Sequence, residues 1–101
     1  MKQGSIALGT TREINGVVKL NGIVSIQLLC DDLSGNTTFS IQTSLDKTNW
    51  DIIQVSGEDF SGTLSDGTPF IQSFNLGPSI YFKVVFDGAT TGTLAYIHSG
   101  L

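Results

Sequence analysis

One cysteine, one histidine and one tryptophan occur in 101 residues, and no apolar run approaches the length of a membrane span. Cys30 alone excludes an intramolecular disulfide, so stability has to come from a packed core or from assembly with other chains, which fits synthesis in a reducing compartment. A structural zinc site takes about four Cys or His ligands, and one of each excludes it. Five Lys and Arg stand against nine Asp and Glu, a net charge of -4, with no basic run to neutralise phosphates. Nucleic acid is therefore not an expected partner. The opening MKQGSIALGTTRE has no apolar stretch of signal-peptide length, and with no candidate span the chain is expected to be made in the cytoplasm, without a membrane partner. Strong helix formers are also scarce: 3 Ala and 2 Glu against 10 Ile, 6 Val and 11 Thr. That excess of β-branched residues points to an all-β protein.

What is present is a succession of short alternating runs separated by turn residues. Residues 1–12 are polar apart from Ile6 and Leu8 and are expected to form an N-terminal arm, leaving 13–101 as the folded domain. EINGVVKL and GIVSIQLLC flank Asn21-Gly22, the strongest short hairpin signal, so strands of roughly 13–20 and 22–30 are expected to pair across that turn. In the second of these, Val24, Ile26, Leu28 and Cys30 share one face and Ile23, Ser25, Gln27 and Leu29 the other. TTFSIQTS alternates strictly and is followed by LDKTN and WDIIQV, a second hairpin. Residues 56–68 are too long for a plain connection unless they hold a short strand or serve a function. PFIQSFNL, IYFKVVFD and TGTLAYIHS then supply three more strands at about ten-residue intervals. The expected fold is a single antiparallel β-sandwich of seven or eight short strands, with a small β-barrel as the alternative.

No residue announces catalysis. His98 is the one side chain suited to act as a base near neutral pH, and no motif in the sequence marks a nucleophile for it; an exposed or edge-strand histidine is the default. Cys30 shares its row with aliphatic residues and reads as a buried hydrophobe, not an activated thiolate. Asp31, Asp32, Ser34 and Asn36 offer oxygen ligands without the spacing of a known calcium loop, and an ordinary Asx-type turn is favoured there. The acids fall mostly in turns, which argues against a pair of carboxylates opposed across a cleft. No cofactor or metal is expected, and the chain is not expected to be an enzyme. Trp50 has two readings, a core tryptophan by default and a platform for glycan rings as the alternative.

The strand faces turned away from the expected core are written in neutral polar residues: Ser25, Gln27, Ser40, Gln42, Gln54, Gln72 and Ser73. Charged residues make up 14% of the chain against about 25% in typical domains. Uncharged faces suit contact with neighbouring proteins, because charge is depleted at the centres of interfaces.

FSIQTSLDKTNW at 39–50, the aromatic strand YFKVVF at 81–86 and TTGTLAYI at 90–97 together resemble small β-sandwich virion proteins of tailed bacteriophages, found as head decorations and in fibre or baseplate modules. The likeness covers a little under half of the chain. The resemblance implies a non-enzymatic capsid decoration protein of the virion. Its partner would be the major capsid protein or another virion protein, and it would associate with its own copies, a trimer being favoured. Ile6 and Leu8 in the arm and Phe60 and Leu64 in the long connection are then the expected partner contacts. The competing reading is a carbohydrate-binding or host-adhesion module using Trp50.

Overall fold

The computed structural model describes residues 1–19, 21–34, 37–77, 80–88 and 91–101. Among these there is no helix. Eleven strands run in the order β1 (Lys2–Ala7), β2 (Glu13–Val17), β3 (Ile23–Asp31), β4 (Thr37–Ser44), β5 (Asp51–Ile52), β6 (Gln54–Val55), β7 (Glu58–Asp59), β8 (Gly62–Leu64), β9 (Phe70–Asn75), β10 (Tyr81–Asp87) and β11 (Thr93–His98). They form two antiparallel sheets, β1-β11-β3-β9 and β2-β10-β4-β5, with β8 pairing β4 beyond β5, and a small β6-β7 ribbon. The expected β-sandwich is the observed fold.

Its connectivity is more specific than the sequence reading. From β1 to β4, and again from β8 to β11, the chain changes sheet at every step. With β5 and β8 sharing the lane beside β4, the two strand orders are those of an eight-stranded jelly roll, a pair of interlocked Greek keys.

Alternation decides what is inside. On β3 the buried row is Val24, Ile26, Leu28 and Cys30, facing Phe39 and Ile41 of β4 and Phe82, Val84 and Phe86 of β10 across the gap. Phe39 is the hub: its ring lies 4.8 Å from Phe70 at 77°, 5.8 Å from Phe60 and 6.1 Å from Phe86. Edge-on and tilted contacts of this kind add to plain burial, which for each large apolar side chain contributes about 1.5–3 kcal/mol. Gly62 on β8 exists to admit this cluster, since a Cβ there would collide with the Phe39 ring.

Several expectations change. Residues 1–12 are not an arm: Lys2–Ala7 pairs along its length with β11, Leu8 is fully buried and Ile6 packs against the core. Arg12 closes this corner, its Nη1 donating to the Leu8 carbonyl (3.1 Å) and its Nε to that of Phe86 (3.3 Å). Asn21-Gly22 makes no hairpin, because β2 and β3 lie in opposite sheets. The turn chemistry is nonetheless used: Gly22 has φ +74° and donates to the Lys19 carbonyl, and Asn21 Oδ1 accepts from the Ile23 amide. The hairpin expected after TTFSIQTS is present as β4-β5, and residues 56–68 hold β7 and β8. Asn36, one of the oxygen ligands considered above, lies outside the described residues.

Candidate functional site

Of the expected partner contacts, the fold withdraws most from the surface. Leu8 and Leu64 are core residues, and Ile6 is half-buried against the core. Phe60 is half-buried with its ring 4.9 Å from Phe74 and 5.8 Å from Phe39, so these four side chains hold the sandwich together instead of facing a neighbour. The signal missed for β1 is a two-residue period written in small residues, with Gly4 and Ile6 inward and Gln3, Ser5 and Ala7 outward.

Trp50 also departs from its default. It is half-buried and outside the core cluster, lying against the outer face of the β2-β10-β4 sheet. Five hydrogen bonds explain why it sits there. The turn before it is built on Asp46, whose Oδ1 accepts from the Ser44 hydroxyl (2.9 Å) and from the amides of Thr48 and Asn49 (both 2.8 Å), while Oδ2 accepts from Asn49 Nδ2. These donors stabilise the charged form and hold the Asp46 carboxyl well below the usual carboxylate range. The Trp50 indole N–H then donates to the Lys47 carbonyl (3.2 Å), fixing the ring against the turn.

The folded-back turn makes one wall of an open groove of roughly 550 Å³. Its floor is β10 and β2. Lys83 on β10 places Nζ 4.4 Å from the Trp50 ring centroid and 3.9 Å from Glu13, and Lys47 places Nζ 4.7 Å from the Tyr81 centroid. Lys2 reaches the same groove from β1. Three of the five cations of an acidic chain thus line one depression, alongside a single acid, Glu13.

Behind that floor lies His98. It belongs to β11, an inner strand between β1 and β3, and is 2% exposed, which overturns the expected exposed or edge position. Its ring meets Phe82 edge-on and stacks beside Tyr96, and neither ring nitrogen has a hydrogen-bond partner. Burial, helped by the positive charge of Lys2 and the N-terminus, pushes its pKa down, so the imidazole is neutral. Cys30 is shifted the other way: burial first, then the nearby Asp66 and Asp31 carboxylates, raise the thiol above its ordinary value. No three His, Cys, Asp or Glu side chains among the described residues gather in a way that holds a metal ion.

The opposite broad surface has a different character. On the outer face of β1-β11-β3-β9 the cross-strand rows read Gln3–Ile97–Gln27–Ile71, then Ser5–Ala95–Leu29, with Ser25 beside Ser73. Asp31, at one end of β3, is the only charged side chain on that face of the four strands. The Ser25 and Ser73 hydroxyls share one hydrogen bond at 2.7 Å, and Ser99 Oγ accepts from the Ser25 amide. Ile71 is 68% exposed and Ile23 44%.

Compared with known proteins, the chain matches no family model and no curated sequence.

Proposed function

We propose that the chain is a non-enzymatic structural protein of a bacteriophage virion, a capsid decoration protein that docks on the shell through the outer face of β1-β11-β3-β9. The observation that carries this reading is the near absence of charge on that face. Covering it desolvates almost no charge and gains from its apolar side chains leaving water, while its Gln3 and Gln27 amides remain to hydrogen-bond the partner. The jelly-roll connectivity is in keeping with it, since viral capsid domains use that topology, as do lectins and cupins.

The size of the face argues for one kind of partner. Four strands spaced by about 4.8 Å and six residues rising about 3.3 Å each give a plan area of roughly 400 Å². A stable free pair buries about 800 Å² per partner. A face of this size suits an ordered array, in which each copy is held by several shallow contacts, as when trimers sit on the local symmetry axes of a shell.

The test is to purify particles from the source strain on a density gradient, dissociate them and identify their proteins by mass spectrometry. The chain at one or more copies per shell subunit supports the reading. Its absence from intact particles overturns it.

A further inference from the structure

We propose that the groove between the 45–50 turn and the β2-β10 floor binds an acidic sugar, a pyranose ring carrying a carboxylate. The inference does not rest on the virion reading, since the groove lies on the sheet opposite the uncharged face.

Three features of the groove converge on this ligand class. Lys2, Lys47 and Lys83 concentrate positive charge in an otherwise acidic molecule, with Glu13 as the one acid among the lining side chains. Neither ammonium is saturated: Lys83 on the floor makes a long 3.9 Å ion pair with the half-exposed Glu13, and Lys47 on the turn faces the Tyr81 ring. Both therefore keep donors for an incoming anion. Each of these cations lies over one face of an aromatic ring, Lys83 over Trp50 and Lys47 over Tyr81, and both rings are only half-buried, so a carboxylate drawn to an ammonium arrives next to aromatic surface suited to the apolar C–H face of a sugar ring.

The combination discriminates among ligands. A neutral sugar makes no use of three lysines. A bare anion makes no use of the rings. A long polyanion such as nucleic acid is repelled by the overall charge of -4 and meets no extended basic track. A single carboxylate on a pyranose uses both halves of the groove. The site is also preorganised, because the Asp46-centred turn and the indole N–H bond to the Lys47 carbonyl hold Trp50 and Lys47 in place before any ligand arrives.

Trp50 is the only tryptophan, so fluorescence excited selectively in the indole band, beyond tyrosine absorption, reports on the groove alone. The full chain is titrated at low ionic strength with two matched pairs, cellobiouronic acid against cellobiose and sialyllactose against lactose, and with inorganic phosphate. The expected result is a saturable change with at least one acidic member, about tenfold tighter than its neutral partner, as one charge-assisted contact would give. Lys47→Gln with Lys83→Gln abolishes it at an unchanged melting temperature, while Lys19→Gln, outside the groove, retains it. No saturable change with either acid overturns the proposal. So does an equal response to phosphate, which would mark a bare anion site, or a response that survives the double substitution in the folded protein.

Discussion

Phe82 meets the His98 imidazole edge-on, with 5.1 Å between ring centroids and 84° between planes, so the ring that could carry a proton is packed as a hydrocarbon would be. A charged imidazole has no hydrogen-bond acceptor in that position.

Folding stability should therefore depend on His98 near neutral pH. The folded pKa lies below the unfolded value of about 6.5, so above that pH both states are neutral and nothing is lost. As pH falls below about 6.5 the unfolded chain takes up a proton that the folded chain refuses, and stability declines. Urea midpoints measured from pH 7.5 down to 5.5 should fall in the native protein and stay level in His98→Leu. An identical decline in both would assign the effect elsewhere.

The aromatic hub should tolerate neither loss nor addition. Phe39→Ala is expected to cost about 3–5 kcal/mol by transfer and cavity terms. Gly62→Ala, which pushes a methyl into the same ring, is expected to cost about 1–3 kcal/mol. The two are coupled, so Gly62→Ala should cost much less in a Phe39→Leu background, and additivity in a double-mutant cycle would contradict the packing described.

Asp46 should stay ionised in acid that protonates an ordinary aspartate. Its folded pKa is depressed, so its contribution is present above the unfolded value and is lost only as pH falls through the lower folded one. Carbon-detected NMR of the side-chain carboxyls should show Asp46 unprotonated at pH 3. Asp46→Ala should release the turn, raising amide exchange at Thr48 and Asn49 and loosening Trp50, seen as lower fluorescence anisotropy.

Cys30 should be inert in the folded state. It is buried, and its thiol is held above the ordinary pKa, so an aromatic disulfide reagent at pH 8 should leave native protein unmodified and react fully once denaturant is added. Rapid reaction without denaturant would contradict the placement of Cys30 inside the sandwich.

Much of the architecture was legible because the strongest strands are long and strictly alternating. Val24, Ile26, Leu28 and Cys30, like Phe39 and Ile41, announce a buried face by period alone. Which strands pair was not legible. Asn21-Gly22 has the same local chemistry whether the chain doubles back in one sheet or arches into the other, and the choice is made by β10 and β11, sixty and more residues away. β1 was hidden because an edge strand with Gly4 and Ser5 needs few apolar residues to hold its place.

The groove was only partly legible. Trp50 stands out as a lone tryptophan, but its position depends on a turn most of whose side-chain bonds run through Asp46, and of the groove's cations Lys2 and Lys83 come from strands far from the turn in sequence. His98 carried no warning of burial, since LAYIHS alternates as an exposed strand end would.

The jelly-roll order makes the first strand wait for the last. Among the described residues β1 pairs with β11 alone, and β2 has its partner in β10, so neither can dock until strands sixty and more residues downstream have been made. Closing such long loops is entropically costly before any contact rewards it, and topologies of this kind fold in milliseconds to seconds, not microseconds. On the ribosome the amino-terminal strands must remain unpaired until β10 and β11 have been made. During that interval Leu8 and Ile14, sealed in the finished sandwich, and the half-buried Ile6 are open to other chains, and this is the stage at which the protein is most exposed to misassembly.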